Sequence, residues 1–170
     1  LAPRTWNSLI GVLIEEGRLS EAEDTIQRAR ELHPDHPLLK QSLGLIQIAN
    51  GDTDGAIESL SAAWSQRPAL QRSGNNLALM WLRKGSIDRA REVAQALTKR
   101  HPQYLKGWNT LCSIEIAAKR PQQALTAAQK ALSLSPRSAT AWVNLGTAHY
   151  LQQERTKAAE AWRRALDLDP

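Results

Sequence analysis

An all-α solenoid of five helix-turn-helix units is the fold this sequence predicts, and three observations carry it. Pro34, Pro68, Pro102, Pro136 and Pro170 stand 34 residues apart without a slip. Two further columns run in phase with them: Leu9, Leu43, Leu77, Leu111 and Leu145, and Ala22, Ala56, Ala90, Ala124 and Ala158. Fixed self-similarity at this length marks a stack of supersecondary units, each contacting mainly its neighbours. Within a unit the apolar spacing is helical. Trp142, Leu145, Gly146 and His149 follow i, i+3, i+4, i+7, and Ala158, Trp162, Ala165 and Leu166 keep the helical period at i, i+4, i+7, i+8.

The units run 3–36, 37–70, 71–104, 105–138 and 139–170, each read as helix A, a turn, helix B and a proline. The turns fall near Gly17, Gly51, Gly85, Lys119 and Gln153. In the first unit, Ser20 with Glu23 reads as a capping box for helix B. In the fourth, Pro121 suits the first turn of helix B, where a missing N–H costs little. The recurring prolines stop each helix B, because proline restricts the residue before it and cannot extend the hydrogen-bond ladder.

Composition narrows the class. The hydrophobic fraction of 42% suits a folded chain, and phenylalanine is absent beside six tryptophans, so Trp, Leu, Ile and Ala fill the core. No apolar run approaches the ~20 residues that span a bilayer. One cysteine excludes an internal disulfide and says little about compartment. Residue 1 is Leu, so targeting is unreadable and the compartment, cytoplasm or periplasm, stays open. The net charge of +5 is uneven: Lys/Arg against Asp/Glu runs 4 to 7, 2 to 3, 7 to 2, 5 to 1 and 4 to 4 from the first unit to the fifth. An acidic start and a basic middle bear on partners rather than on fold.

Over essentially its whole length the chain resembles the tetratricopeptide repeat family. The family's W-x-x-L-G-x-x-Y … A-x-x-x-F … A … P pattern is met most fully by Trp142, Leu145, Gly146, Ala158, Trp162, Ala165 and Pro170. Trp6 and Trp108 repeat the first tryptophan, and Gly44 and Cys112 take the small position. Lys40 and Gly74 replace the tryptophan, and His149 stands where an aromatic is usual. The resemblance implies a right-handed α-α superhelix, with helices A lining a concave groove. Fold alone does not fix function.

The resemblance also implies which positions face that groove: 2, 5, 6, 9, 12 and 13 of each unit. Positions 5 and 6 read Asn7, Gln41, Asn75, Asn109, Val143 and Ser8, Ser42, Asn76, Thr110, Asn144; nine of these ten are uncharged hydrogen-bonding residues. Amides carry donors and an acceptor, so they can grip the backbone of an extended peptide; equally, they can satisfy neighbouring turns or stand solvated. Positions 9 and 12 add Leu45, Ile48, Leu79, Leu82, Ile116 and Tyr150, an apolar strip of the kind that marks an interaction site. Packing between helices is an equal reading for Ile48 and Ile116. Arg4, Arg72, Arg83 and Lys106 supply positive charge, which suits an acidic segment or a C-terminal carboxylate. The chaperone-binding clamp of some family members is not reproduced: Asn76 and Lys106 match it, while Gln41, Leu45 and Thr110 do not.

Other chemistry is weak. His33, Asp35 and His36 lie in an inter-unit loop and read as structural rather than metal-binding. Cys112 reads as a buried, inert thiol without a base, and the tryptophans read as core. No catalytic constellation or cofactor motif is present, so the segment reads as a non-enzymatic protein-interaction scaffold. The Ala-, Gln- and Arg-rich composition looks bacterial, and for a bacterial chain the resemblance implies an assembly, export or biogenesis system. Two alternatives are a substrate-recruiting or regulatory arm of a larger enzyme, and RNA binding; the steady 34-residue period argues against the 35-residue RNA-reading solenoids. Trp162 and Leu166, on the last helix, are expected to be partly uncovered, implying a piece of a longer protein and end-to-end self-association.

Overall fold

The computed structural model describes residues 2–67 and 69–169, and the regular structure there is ten α-helices without a strand. They are α1 (Pro3–Glu15), α2 (Leu19–Leu32), α3 (Pro37–Ala49), α4 (Thr53–Gln66), α5 (Gln71–Arg83), α6 (Ile87–Arg100), α7 (Leu105–Ala117), α8 (Pro121–Leu134), α9 (Ala139–Leu151) and α10 (Arg155–Leu168). Each odd helix has 13 residues and each even one 14. Every start recurs 34 residues on, from Pro3 to Pro37 to Gln71 and from Leu19 to Thr53 to Ile87.

The helix ends follow from backbone chemistry. All five A-to-B turns pass through a left-handed residue: Gly17, Gly51 and Gly85 at φ 73°, 79° and 78°, then Lys119 and Gln153 at 54° and 64°. This conformation lets the next two N–H groups reach back to otherwise unpaired carbonyls at the helix end. Arg18 N–H donates to Leu13 O at 2.8 Å and Gly17 N–H to Ile14 O at 3.1 Å, and the same pair of bonds closes α3, α7 and α9. Helices α2, α6 and α8 stop at His33, His101 and Ser135, the residues before Pro34, Pro102 and Pro136. The stops expected at Pro68 and Pro170 lie outside the described residues. Pro121 opens α8 as expected.

One capping assignment is corrected. Arg18, not Ser20, precedes α2, and no side chain caps that end. Ser20 is already helical, and Glu23 instead accepts a hydrogen bond from Asn50 Nδ2 at 2.6 Å. Arg18 is held by Glu21 and Glu16. A Ser-x-x-Glu spacing recurs along any helix surface, and here the turn at Gly17 sets the start two residues earlier.

By contact the chain forms two compact units, Leu1–Lys84 carrying α1 to α5 and Gly85–Pro170 carrying α6 to α10. In the first, Trp6, Ile10 and Leu13 of α1 pack with Ala22, Ile26 and Ala29 of α2 and with Leu39 and Ile46 of α3. The alanine column lies in the core throughout: Ala22, Ala56, Ala90, Ala124 and Ala158 are all fully buried. The small position opposite it behaves alike. A Cβ on Gly44 would stand 2.7 Å from Leu60 Cγ, one on Gly146 would stand 2.5 Å from Trp162 Cδ1, and Cys112 Sγ donates to Ala124 O at 3.2 Å. Gly74 also has a reason to lack the tryptophan of its column, since the Trp64 indole already fills that space, 2.9 Å from where its Cβ would lie.

Candidate functional site

In the first unit, hydrogen bonds between odd helices decide which predicted groove residues are free. Asn7 Oδ1 on α1 accepts from Ser42 Oγ at 2.9 Å and from Gln41 Nε2 at 3.4 Å, both on α3. Gln41 Oε1 in turn accepts from Ser73 Oγ of α5 at 2.9 Å. Gln41 is therefore buried with both ends of its amide committed between helices, and Leu45 and Asn75 are buried as well. The bonds among Asn7, Gln41, Ser42 and Ser73 link α1, α3 and α5.

What remains at least partly exposed is a stripe along α5. Arg72, Asn76, Leu79 and Arg83 succeed one another at i, i+4, i+7 and i+11, which places them on one helix face. The two arginines are exposed and make no ion pair among the described residues, while Asn76 and Leu79 are half-buried between them. A cavity of about 330 Å³ opens at the start of α1 and α3, lined by Arg4, Asn7, Ser8, Leu38, Arg67 and Leu70.

In the second unit, Lys106 is exposed on the first turn of α7, and Asn109, one turn on, is half-buried with an Oδ1 that finds no partner among the described residues. Asn144 is buried and donates through Nδ2 to the Asn109 carbonyl at 3.4 Å. Tyr150 is exposed, its ring 5.8 Å from that of Trp162. Trp162 is half-buried and Leu166 is 64% exposed, as expected. Together with Ala139, Thr140, Val143, Ala165 and Asp169 they line an apolar cavity of about 480 Å³ between α9 and α10.

A model of the tetratricopeptide repeat matches residues 9–70, 42–104 and 113–170, most of the chain. The chain belongs to the tetratricopeptide repeat family. It is an all-α tetratricopeptide solenoid, and solved structures share that fold. The structure titled as a functional characterization of Pseudomonas aeruginosa pilF superposes with a TM-score of 0.88 at 15% identity, covering 99% of this chain and 77% of the other. MamA from Desulfovibrio magneticus RS-1 gives 0.83 at 17% identity, covering 98% and 94%. A further MamA crystal structure gives 0.81 at 18%, covering 92% of each. At such identities the likeness shows the fold. No curated protein matches the chain in sequence.

The tetratricopeptide columns also explain one another. Trp108 and Trp142 each donate their indole N–H to the carbonyl of the proline six residues earlier, Pro102 at 2.8 Å and Pro136 at 2.9 Å, a bond that Lys40 and Gly74 in the same column do not offer. Trp6 is buried with its Nε1 unpartnered among the described residues. Cys112 is fully buried, and desolvation, opposed by a backbone hydrogen bond and aided by Glu115, pushes its thiol up to about 12. His36 Nδ1 accepts from the Leu38 N–H at 3.2 Å and so caps α3.

Two charged residues escaped the pattern. Glu115 is 2% exposed, with Arg91 Nε 3.2 Å away, and this pair ties α6 to α7. Arg67 lies just past α4, outside the groove positions, and lines the cavity at the start of α1 and α3.

Proposed function

We propose that this tetratricopeptide array is a protein-interaction scaffold that holds an extended acidic segment of a partner against exposed positions of its odd-numbered helices. The α5 stripe carries the reading: two exposed guanidinium groups, without an ion pair among the described residues, flank an amide and a leucine on one face. Guanidinium forks pair with carboxylates, the amide grips peptide backbone, and the leucine adds apolar contact. Within the second unit, Lys106 and Asn109 on α7 and Tyr150 on α9 offer similar chemistry. The fold is in general a non-catalytic scaffold, and we assign this segment no reaction and no cofactor. The similar structures from Pseudomonas aeruginosa and Desulfovibrio magneticus are bacterial, which supports a place in a bacterial assembly, export or biogenesis system.

Selection of peptides from a random library against the chain tests this reading. Acidic sequences should be enriched, and Arg72→Gln with Arg83→Gln should weaken them without lowering the melting temperature. Enrichment of neutral or basic peptides instead would sink it.

We also propose that copies associate end to end. Val12 on α1 is 50% exposed, although its register mates Ile46, Met80, Ile114 and Ala148 are all buried. Leu9 stands exposed beside it, and Leu166 is exposed on α10. An α1 laid on the α9–α10 cavity of another copy would cover both surfaces.

A further inference from the structure

We propose that the cavity at the start of α1 and α3 is an oxyanion site that anchors one end of the bound segment, through a terminal carboxylate or a phosphorylated side chain. This rests on the scaffold reading above and gives it a polarity. The cavity is about 330 Å³, at the small end for a ligand pocket and suited to one compact group. Its two charged side chains are both arginines, from separate elements: Arg4 in the first turn of α1 and Arg67 just after α4. Neither has a carboxylate partner among the described residues, and no acid lines the cavity.

Two like charges brought to one concavity repel, and a bound anion relieves the repulsion while accepting from both forks. The rest of the lining fits that ligand. Asn7 has its Oδ1 occupied by Ser42 and Gln41, so its NH2 is the group left to donate, and Ser8 adds a hydroxyl. Leu38 and Leu70 supply apolar wall, which lowers the local dielectric and strengthens each charge-assisted bond. The charge of Arg67 also reaches the neighbouring cap of α3. His36 is held below the ordinary imidazole range by burial first, and then by the charges of His33 and Arg67.

The test follows the arginine Nε–H signals of the isotope-labelled chain by NMR during titration with inorganic phosphate. Three peptides of one library-selected acidic sequence follow: one with a free C-terminus, one amidated, and one amidated but carrying phosphoserine. Phosphate should shift the Arg4 and Arg67 signals saturably. Arg4→Gln with Arg67→Gln should weaken peptide binding roughly tenfold, the size of one lost charged hydrogen bond, at unchanged melting temperature. Binding lost on amidation assigns a terminal carboxylate, and binding restored by phosphoserine assigns a phosphorylated side chain. Equal, unsaturable shifts at all surface arginines would overturn the site. So would unchanged peptide affinity in the double variant. If Arg72→Gln with Arg83→Gln still weakens the peptide in that case, the scaffold reading stands and the anchor alone falls. If neither pair matters, both fall.

Discussion

Lys119 and Gln153 sit at φ 54° and 64°, in turns where the first three repeats use glycine. A side chain in the left-handed region costs about 1 kcal/mol or more, and glycine returns part of that gain through its freer unfolded chain. Lys119→Gly and Gln153→Gly should each stabilise by about 0.5–1 kcal/mol, read as a higher midpoint in denaturant; a lower midpoint would show that the turn is not strained. Cys112 makes the opposite kind of statement. With its thiol pushed up to about 12 and its sulfur bonded to Ala124 O, it should resist a thiol reagent at pH 8 in the native chain and react at once after unfolding. Rapid labelling of native protein would contradict that burial. All three residues were legible as deviations within a column: a non-glycine at two turns, a cysteine at the small position. The buried amides were not, because position along a helix fixes the face a side chain leaves from, not which neighbour takes its hydrogen bond. Gln41 and Asn75 share a column with Asn109, yet the first two are buried and the third is half-buried.

At the scale of elements, proline and glycine punctuation made the helix boundaries readable almost to the residue, since both act through the local backbone. Side-chain capping did not read as well. The Ser20–Glu23 spacing had the right letters in the wrong place, because the turn geometry decides where the helix starts. The last helix shows how charge anchors an element. Glu154, at the start of α10, lies below the usual carboxylate range, chiefly through its bond from Lys157 at 2.7 Å and next through His149 at 2.6 Å. A carboxyl depressed in the folded state contributes stability above its unfolded pKa and loses it as pH falls through the folded value. Melting followed from pH 7 downward should therefore show an acid-side loss that Glu154→Gln lessens. An identical acid limb in the variant would remove Glu154 from the account. The Glu115–Arg91 tie between α6 and α7 was invisible beforehand, because a lone Glu on a helix reads as solvated until the neighbouring helix is placed.

For the whole molecule, the 34-residue period was written plainly enough to give the fold class, as the ten helices and the tetratricopeptide match show. The period says much less about binding, since the residues that differ between repeats, not those that recur, make a surface specific. Self-association belongs to this scale. Sedimentation velocity on the 170-residue chain should show mass increasing with concentration, and Val12→Asp or Leu166→Asp should abolish the increase. A clean monomer throughout would contradict end-to-end docking. The net charge of +5 raises the remaining question, whether an acidic partner is drawn to a face or only to a cationic protein. One comparison separates the two. A selected acidic peptide is titrated by fluorescence anisotropy into Arg72→Gln/Arg83→Gln on α5 and into Lys99→Gln/Lys130→Gln on α6 and α8, variants that remove the same charge from different helices. The account predicts roughly tenfold weaker binding for the α5 pair and nearly native binding for the other. Equal losses in both, or none in the α5 pair, would contradict it.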